Sequence, residues 1–399
     1  MSHSFQAVKV TEKVYWVGAI DWELREFHGY QTQRGTTYNA YLILADKITL
    51  LDTVKAPFHG EMMARIRSLI DPKQISQIVS HHSEMDHSGS LPEAIREIEP
   101  EKVVVSTMGA KALARHFQLR DLTIVKSGEI LSLDNADLVF QETRMLHWPD
   151  SMISYLPSEQ VLFSQDGFGM HLAGSERFTD EVEEPVWMYE AAKYYANILT
   201  PFSPLVLELA KKLGELKWPI QIVAPDHGPI WRNGPEQIVS LYGRWATQKP
   251  TDKAVIAYDT MWKSTATMAH VVANGISDHG AKVRMVPLSA CHRSDLATEL
   301  LEAGALIVGS PTMNNMLYPT VADALTYLKG LKFKGLLGAA FGSYGWSGEA
   351  VAQINEYLDA MKIERVDDGV KAQYIPDQTD LDKCYQLGAK IGVRLRELR

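Results

Sequence analysis

Cysteine is scarce in this chain, and its scarcity excludes several kinds of site. Only two cysteines, Cys291 and Cys384, occur among 399 residues, and they form no CxxC pair. A cysteine-ligated zinc site, a thiolate-bound iron–sulfur centre and a disulfide framework are therefore excluded within this chain. The same composition suits a reducing compartment.

Long apolar runs and basic blocks are also lacking. No apolar stretch of 18 residues occurs, and the N-terminal residues MSHSFQAVKV contain no apolar core of a signal peptide. The formal net charge is −9, and no block of lysine and arginine offsets it, which argues against a nucleic-acid partner. We therefore expect a soluble, cytoplasmic protein with no membrane association.

What the chain does contain suits a large globular protein. Hydrophobic residues make up 46% and charged residues 22%, which is ordinary for globular proteins. The length of 399 residues predicts two or three domains. The hydrophobic pattern changes at the polar segment 248–253, so we predict one domain at 1–249 and another at 250–399.

The first half is rich in predicted strands that are separated by irregular loops carrying histidines. The apolar patterns predict a strand at 38–44, a hairpin partner at 48–51 and a helix at 60–70. Further strands are predicted at 14–17, 102–106, 122–125, 137–142, 152–155 and 161–164. This mixed order indicates sheets packed as a sandwich and flanked by helices.

The second half alternates regularly between strand and helix. Apolar strands are predicted at 254–258, 282–286, 306–309, 336–341 and 370–375, and a helical pattern follows each of them. Five such units predict an α/β fold with a doubly wound parallel sheet. Ligands of such sheets bind at the carboxyl ends of the strands.

The stretch HHSEMDHSG at 81–89 contains four potential metal ligands in six positions. They are His82, Glu84, Asp86 and His87. Taken alone, this stretch is compatible with a zinc loop, an iron site or a solvated polar turn. Three more candidates, His147, Asp166 and His227, each follow an apolar, strand-like run, so that each could face a common cleft.

These residues together carry a family resemblance. HxExDH followed by H, D and H resembles the metallo-β-lactamase superfamily, whose zinc hydrolases usually have HxHxDH. Glu84 replaces the second histidine, and histidine with carboxylate suits non-haem iron. With this change, the segments GTTYNAY (35–41) and MLHWPD (145–150) make the chain similar to the flavodiiron (A-type flavoprotein) family. The resemblance implies an N-terminal metallo-β-lactamase-like αββα sandwich.

The resemblance also implies a ligand set for two iron ions. One iron is expected to take His82, Glu84 and His147, the other Asp86, His87 and His227, and Asp166 is expected to bridge both. His87 can turn away from the metal in this family, and His81 is not part of the pattern. Aromatic side chains and His28 could line a pocket above the metals, but core packing explains them equally well, so they are left out of the site.

Three loops of the second half suit a flavin. They contain Thr260, Met261, Trp262, Ser264 and Thr265 after the first strand, Pro311, Thr312, Met313, Asn314 and Asn315 after the third, and Ser343, Tyr344, Gly345, Trp346, Ser347 and Gly348 after the fourth. Hydroxyl groups at a helix N-terminus suit a phosphate, although they also act as ordinary helix caps. GxGxxG does not follow the first strand, which favours FMN over a dinucleotide. The loops resemble those of the flavodiiron family, which implies a flavodoxin-like domain.

Taken together, the resemblance implies an oxidoreductase that reduces O2 to water, NO to N2O, or both, at a diiron site that FMN re-reduces. The family also implies a head-to-tail homodimer, and two such dimers can pair into a dimer of dimers. Because the chain lacks a rubredoxin-like CxxC pair and an NAD-binding module, we expect an external donor, rubredoxin. The alternatives are a zinc hydrolase with a flavodoxin-like appendage and an electron carrier whose first domain is a metal-free scaffold.

Overall fold

The structure is a computed structural model that describes residues 5–398. Within this range the contacts divide the chain into two compact units. The first unit runs to Tyr194 and continues over Pro204–Gly243, and the second comprises Tyr195–Ser203 and the chain from Arg244 onward. The sequence pattern does not indicate that Tyr195–Ser203 belongs to the second unit. Residues 1–4 and 399, which the predicted domain ranges include, lie outside the described residues.

The first unit contains two main sheets. Its strands are β1 (Val8–Lys9), β2 (Val14–Trp16), β3 (Ala19–Asp21), β4 (Glu26–Phe27), β5 (Tyr30–Gln31), β6 (Thr36–Tyr38), β7 (Tyr41–Ile43), β8 (Thr49–Leu51), β9 (Gln77–Ser80), β10 (Lys102–Ser106), β11 (Thr123–Val125), β12 (Ile130–Ser132), β13 (Asp137–Glu142), β14 (Met152–Leu156), β15 (Val161–Gln165) and β16 (Ile222–Pro225). A seven-stranded sheet has the order β1-β2-β7-β8-β9-β10-β11, and a five-stranded sheet has the order β12-β13-β14-β15-β16. The predicted hairpin is confirmed, because β7 and β8 pair antiparallel.

Helices flank these sheets. They are α1 (His59–Arg67), α2 (Met85–Ser88), α3 (Leu91–Ile98), α4 (Thr107–Phe117), α5 (Glu184–Tyr194), α6 (Ser203–Leu216) and α7 (Glu236–Thr247). One core lies between the two sheets, where Trp16 and Tyr41 of the first sheet pack in one cluster with Phe163 of the second. A second core joins the first sheet to its helices through Ile78 and Met62. A fully buried aliphatic side chain such as that of Ile78 or Met62 contributes about 1.5–3 kcal/mol.

The predicted continuous strand at 38–44 is wrong, since β6 ends at Tyr38 and β7 begins at Tyr41. The break has a physical cause at Asn39. Its N–H donates to the carbonyl oxygen of Asp226 at 2.7 Å, and its side-chain oxygen accepts from the indole of Trp16 at 2.8 Å. These contacts turn the backbone out of the strand and tie it to the loop that carries His227.

The second unit is the predicted doubly wound sheet. Its strands are β17 (Lys253–Tyr258), β18 (Lys282–Pro287), β19 (Ala305–Gly309), β20 (Thr312–Met313), β21 (Met316–Leu317), β22 (Leu337–Tyr344), β23 (Glu364–Arg365) and β24 (Val370–Gln373). Its helices are α8 (Ser264–Asp278), α9 (Arg293–Leu300), α10 (Pro319–Leu331), α11 (Ala350–Ala360) and α12 (Gln378–Glu397). All strands of the main sheet are parallel in the order β18-β17-β19-β22-β23, and β24 also pairs with β22. Between residues 5 and 398, no helix is long and apolar enough to cross a membrane.

Candidate metal centre and flavin pocket

Four loop segments carry the seven candidate ligands, and each begins where a strand ends. His82 and Glu84 follow β9, and His147 lies between β13 and β14. Asp166 follows β15 directly, and His227 follows β16. Glu84 has an extended backbone and precedes the short helix α2, in which Asp86 and His87 lie.

The structure brings these seven side chains together in two groups. The first group contains His82, Glu84, His147 and Asp166, and the second contains Asp86, His87 and His227. In each group, one potential ligand atom per residue lies within 4.8 Å of the others. This division matches the ligand sets expected for the two irons, with Asp166 as the residue that contacts both groups.

Asp166 directs its two carboxylate oxygens to different groups. Its Oδ2 lies 3.0 Å from Nε2 of His147 and 3.5 Å from Nε2 of His82. Its Oδ1 lies 3.2 Å from Nε2 of His87 and 3.4 Å from Nε2 of His227. A carboxylate placed in this way can bridge two metal ions.

The hydrogen bonding of these atoms tests whether metal ions fit. Within the described part of the chain, both carboxylate oxygens of Asp86 and of Asp166 are buried without a hydrogen-bond partner, and so is Nε2 of His87. Buried carboxylates without hydrogen bonds are costly, and metal ions bound among these side chains would offset their charge. Histidine and carboxylate ligands without a thiolate suit iron. The residues therefore fit a pair of non-haem iron ions.

Electrostatics keep the central carboxylates ionised. Burial alone would raise the pKa of Asp166, but the imidazoles of His87 and His147 hold it well below its usual range. Burial likewise opposes ionisation of Glu84, but hydrogen bonds from His147, His28 and His82 lower its pKa. Ionised carboxylates are the form that binds metal ions.

A second layer of polar groups orients the histidines. The Nδ1 of His227 donates to the carbonyl oxygen of Thr37 at 2.7 Å, which leaves Nε2 as its ligand atom. The Nδ1 of His82 lies 3.4 Å from Asp150, whose other oxygen accepts from the N–H of Ser83 at 2.6 Å. Such outer contacts fix the ring orientation of metal-binding histidines.

His81, the first residue of HHSEMDHSG, faces away from both groups. Its Nδ1 lies 2.5 Å from Asp52, and its Nε2 lies 2.8 Å from the hydroxyl of Ser154. Its backbone N–H also donates to Asp52. These contacts anchor the chain just before His82.

His28 is a site residue that the sequence reasoning left out. Its Nε2 lies 2.5 Å from Oε1 of Glu84, and its ring lies edge-on to His147 at 5.6 Å. The sequence indicates only a turn here, because Gly29 follows His28 between two short segments.

A groove lies at the carboxyl ends of the parallel strands in the second unit. The cavity has a volume of about 270 Å3, and its lining residues are Met261, Trp262, Ser264, Pro311, Thr312, Ser343, Tyr344, Gly345, Trp346 and Tyr374. Tyr374, which follows β24, was missed because the sequence gives no binding signal there. The other predicted flavin residues do not line the cavity; they are Thr260, Thr265, Met313, Asn314, Asn315, Ser347 and Gly348.

The hydroxyl groups near this cavity fit a phosphate-bearing flavin. Oγ1 of Thr260 is buried and has no hydrogen-bond partner among the described residues. Helix α8 begins at Ser264, and the first N–H groups of a helix are free to bind an anion. Oγ1 of Thr265 lies 2.8 Å from Oγ of Ser343, which links the first loop to the end of β22. The residues therefore fit FMN.

Comparison with known proteins identifies the family. A family model described as ODP family beta lactamase matches residues 36–228, and a flavodoxin model matches residues 256–388. A nitric oxide reductase from Moorella thermoacetica is 46% identical over 398 residues, covering 98% of this chain and 100% of that protein. A rubredoxin-oxygen oxidoreductase from Megalodesulfovibrio gigas is 45% identical over 399 residues, covering 98% of each.

Solved structures agree. The flavodiiron protein from Giardia intestinalis matches with a TM-score of 0.96 at 31% identity, covering 100% of this chain and 98% of that one. This chain belongs to the flavodiiron family. The rubredoxin oxygen:oxidoreductase structure from Desulfovibrio gigas matches with a TM-score of 0.96 at 43% identity, covering 98% and 99%. The expected metallo-β-lactamase-like and flavodoxin-like folds of a flavodiiron protein are thus confirmed.

Proposed function

We propose that this flavodiiron protein is an oxidoreductase that reduces O2 to water, NO to N2O, or both, at a non-haem diiron site served by FMN. The observation that carries the proposal is the placement of Asp166, whose two oxygens face two separate groups of histidine and carboxylate ligands. Two relatives that cover nearly the whole chain, named a nitric oxide reductase and a rubredoxin-oxygen oxidoreductase, support both substrates.

The side chains hold and orient the metal ions in this proposal. His82, Glu84 and His147 would hold one iron, Asp86, His87 and His227 would hold the other, and Asp166 would be shared between them. When bound, the ferrous pair supplies electrons to the gas molecule and FMN restores them. The buried carboxylates would offset the positive charge of the ions.

We assign the flavin groove to FMN because of the side chains and N–H groups that surround it. Aromatic rings of Trp262, Tyr344, Trp346 and Tyr374 offer contact to a flat ring system, and the start of α8 offers N–H groups to the phosphate. The cavity-lining residues bind the flavin, and the buried hydroxyls of Thr260 and Thr265 support the loop near the phosphate.

We also propose rubredoxin as the electron donor. The name of the relative from Megalodesulfovibrio gigas includes rubredoxin, and this chain has no CxxC pair of its own to bind the iron of a fused rubredoxin. Reduced rubredoxin is expected to reduce the flavin in a stopped-flow experiment. Failure of rubredoxin to reduce it, while dithionite does so, would reject this partner.

A head-to-tail homodimer, able to pair further into a dimer of dimers, is our proposal for the assembly. Large apolar side chains are exposed around the flavin groove, with Trp262 87%, Trp346 83% and Ile375 82% exposed. Exposed apolar patches of this kind mark interaction sites, and a second copy of the chain is the occupant we propose. Analytical ultracentrifugation tests the assembly, and a monomer that turns over at full rate would contradict it.

The proposed function is tested by metal analysis combined with gas consumption. Protein purified anaerobically from iron-replete cells is expected to contain about two irons and one FMN per chain, and to consume O2 or NO when the donor is reduced. Zinc without iron would instead support the hydrolase alternative. Glu84 argues against that alternative, because zinc hydrolases usually have histidine at this position. Flavin without any metal would support the electron-carrier alternative.

A further inference from the structure

His28 occupies an unusual position in the backbone. It joins β4 to β5 through the two-residue turn His28-Gly29, and both residues have positive φ, 52° for His28 and 76° for Gly29. A two-residue hairpin with positive φ at both central positions is a type I′ turn, which favours Asn, Asp or Gly at the first of them. A histidine in this left-handed conformation is uncommon, and such residues often occur at functional sites. The contacts of its side chain therefore matter.

The side chain of His28 contacts the solvent side of the first ligand group. Its Nε2 lies 2.5 Å from Oε1 of Glu84, and its ring stacks on Phe27 with ring centroids 4.1 Å apart. The side chain of His28 is 30% exposed and that of Glu84 is 12% exposed, whereas that of Asp166 is 1% exposed. The hairpin therefore reaches the site from its more open side.

Glu84 divides its two oxygens between His28 and the metal ligands. Oε1 accepts the hydrogen bond from His28, while Oε2 lies 3.2 Å from Nε2 of His82 and 3.4 Å from Nε2 of His147. Because a carboxylate rotates freely about its last bond, a fixed partner on one oxygen decides where the other points. Stacking on Phe27 fixes that partner in turn.

We propose that His28 is a positioning residue of the diiron site. Its hydrogen bond to Oε1 holds Glu84 so that Oε2 is the atom presented to the first iron, and this inference rests on the proposed function. The role requires a donor that reaches Oε1 from the hairpin, and it does not require a change in the charge of His28. Partners of this kind affect metal affinity by about 10–100-fold.

The test uses the full chain, freed of iron and titrated anaerobically with Fe2+. His28→Asn keeps a residue that suits the turn but shortens the donor, and His28→Gln restores a donor of similar reach. The expected result is that His28→Asn weakens binding of one of the two Fe2+ ions by about tenfold or more, while His28→Gln retains most of the affinity. The Mössbauer signal of that one iron should change in His28→Asn and return toward wild type in His28→Gln.

Control variants separate this role from folding and from the histidine itself. His270→Asn exchanges an exposed histidine on α8 and should leave Fe2+ binding unchanged. His28→Gly relaxes the turn completely, so it should fold and show the same loss as His28→Asn. Unchanged Fe2+ affinity and iron spectra in both His28→Asn and His28→Gly would overturn the proposal, and so would a His28→Gln variant as defective as His28→Asn. Failure of wild-type protein to bind two Fe2+ would reject the proposed function instead.

Discussion

Oδ2 of Asp166 lies 3.0 Å from Nε2 of His147, at the junction between the two groups of candidate ligands. Its other oxygen, Oδ1, faces His87 and His227 in the second group. Neither oxygen has a hydrogen-bond partner among the residues described, although the side chain is 1% exposed. Metal ions bound between these side chains would account for the arrangement, and the following predictions depend on this proposal.

Replacing the bridging carboxylate should impair the diiron site without affecting the flavin. Asp166→Ala is expected to abolish consumption of O2 and NO, because the two irons lose their common ligand, while the flavin spectrum stays intact. The control Asp137→Ala changes an exposed aspartate at the start of β13 and should retain full activity. Oxygen- and NO-electrode traces of both variants give the answer. Uptake of both gases by Asp166→Ala would show that the bridging role is wrong.

Restoring the hydrolase pattern should change the preferred metal. Glu84→His converts HxExDH into HxHxDH, and an imidazole in place of a carboxylate suits zinc better than the original ligand does. Protein produced in medium with equal iron and zinc should therefore contain a larger share of zinc than wild type, as measured by elemental analysis. An unchanged iron-to-zinc ratio would mean that Glu84 does not select the metal.

The hydroxyl of Thr265 should matter for the flavin but not for iron. Thr265→Val removes the buried contact with Ser343 at the start of α8, and we expect FMN affinity to fall by about tenfold, the effect of one lost hydrogen bond. Thr267→Val, an exposed position on the same helix, is the matched control. Fluorescence titration of flavin-free protein measures the affinity. Equal FMN affinity in both variants would exclude Thr265 from supporting the site.

The two thiols should differ in reactivity with pH. Burial raises the pKa of both thiols, that of Cys384 to about 12, but Cys291 is only partly buried and stays accessible to a reagent. A thiol-specific reagent should therefore label Cys291 in native protein near pH 8, and should reach Cys384 only after unfolding. The stabilising contribution of protonated Cys384 is complete below the ordinary value of 9.0 and declines as the pH rises toward 12, because the unfolded chain ionises first. Mass spectrometry of labelled peptides is the measurement, and rapid native labelling of Cys384 would contradict the assignment.

Strand periodicity and loop position made much of this fold predictable. The strand at Lys102–Ser106 and the strand at Asp137–Glu142 agree with the predicted bounds, because apolar residues with clear boundaries mark them. The ligand candidates were recognisable because each follows such a strand. Asn39 could not be recognised as a break, since the cause is a contact with Asp226, which is distant in the sequence.

The residues that escaped the sequence reasoning depend on the same kind of long-range contact. His28 was considered for a pocket above the metals but left out of the site, because its contact with Glu84 spans 56 positions of the chain and leaves no local pattern. Tyr374 reaches the flavin groove because β24 pairs with β22, which a local pattern does not reveal. The sequence also does not define the helix α2, because four residues are too few to show helical periodicity.

The central claim is that electrons pass from the flavin to O2 or NO through iron held by these seven side chains. Rapid mixing of anaerobically reduced protein with each gas tests it most directly, with flavin reoxidation followed in iron-loaded and iron-free samples of the same preparation. The iron-loaded protein is expected to reoxidise rapidly with at least one gas, yielding water without hydrogen peroxide from O2 or N2O from NO. Equal reoxidation rates with and without iron, for both gases, would contradict the account.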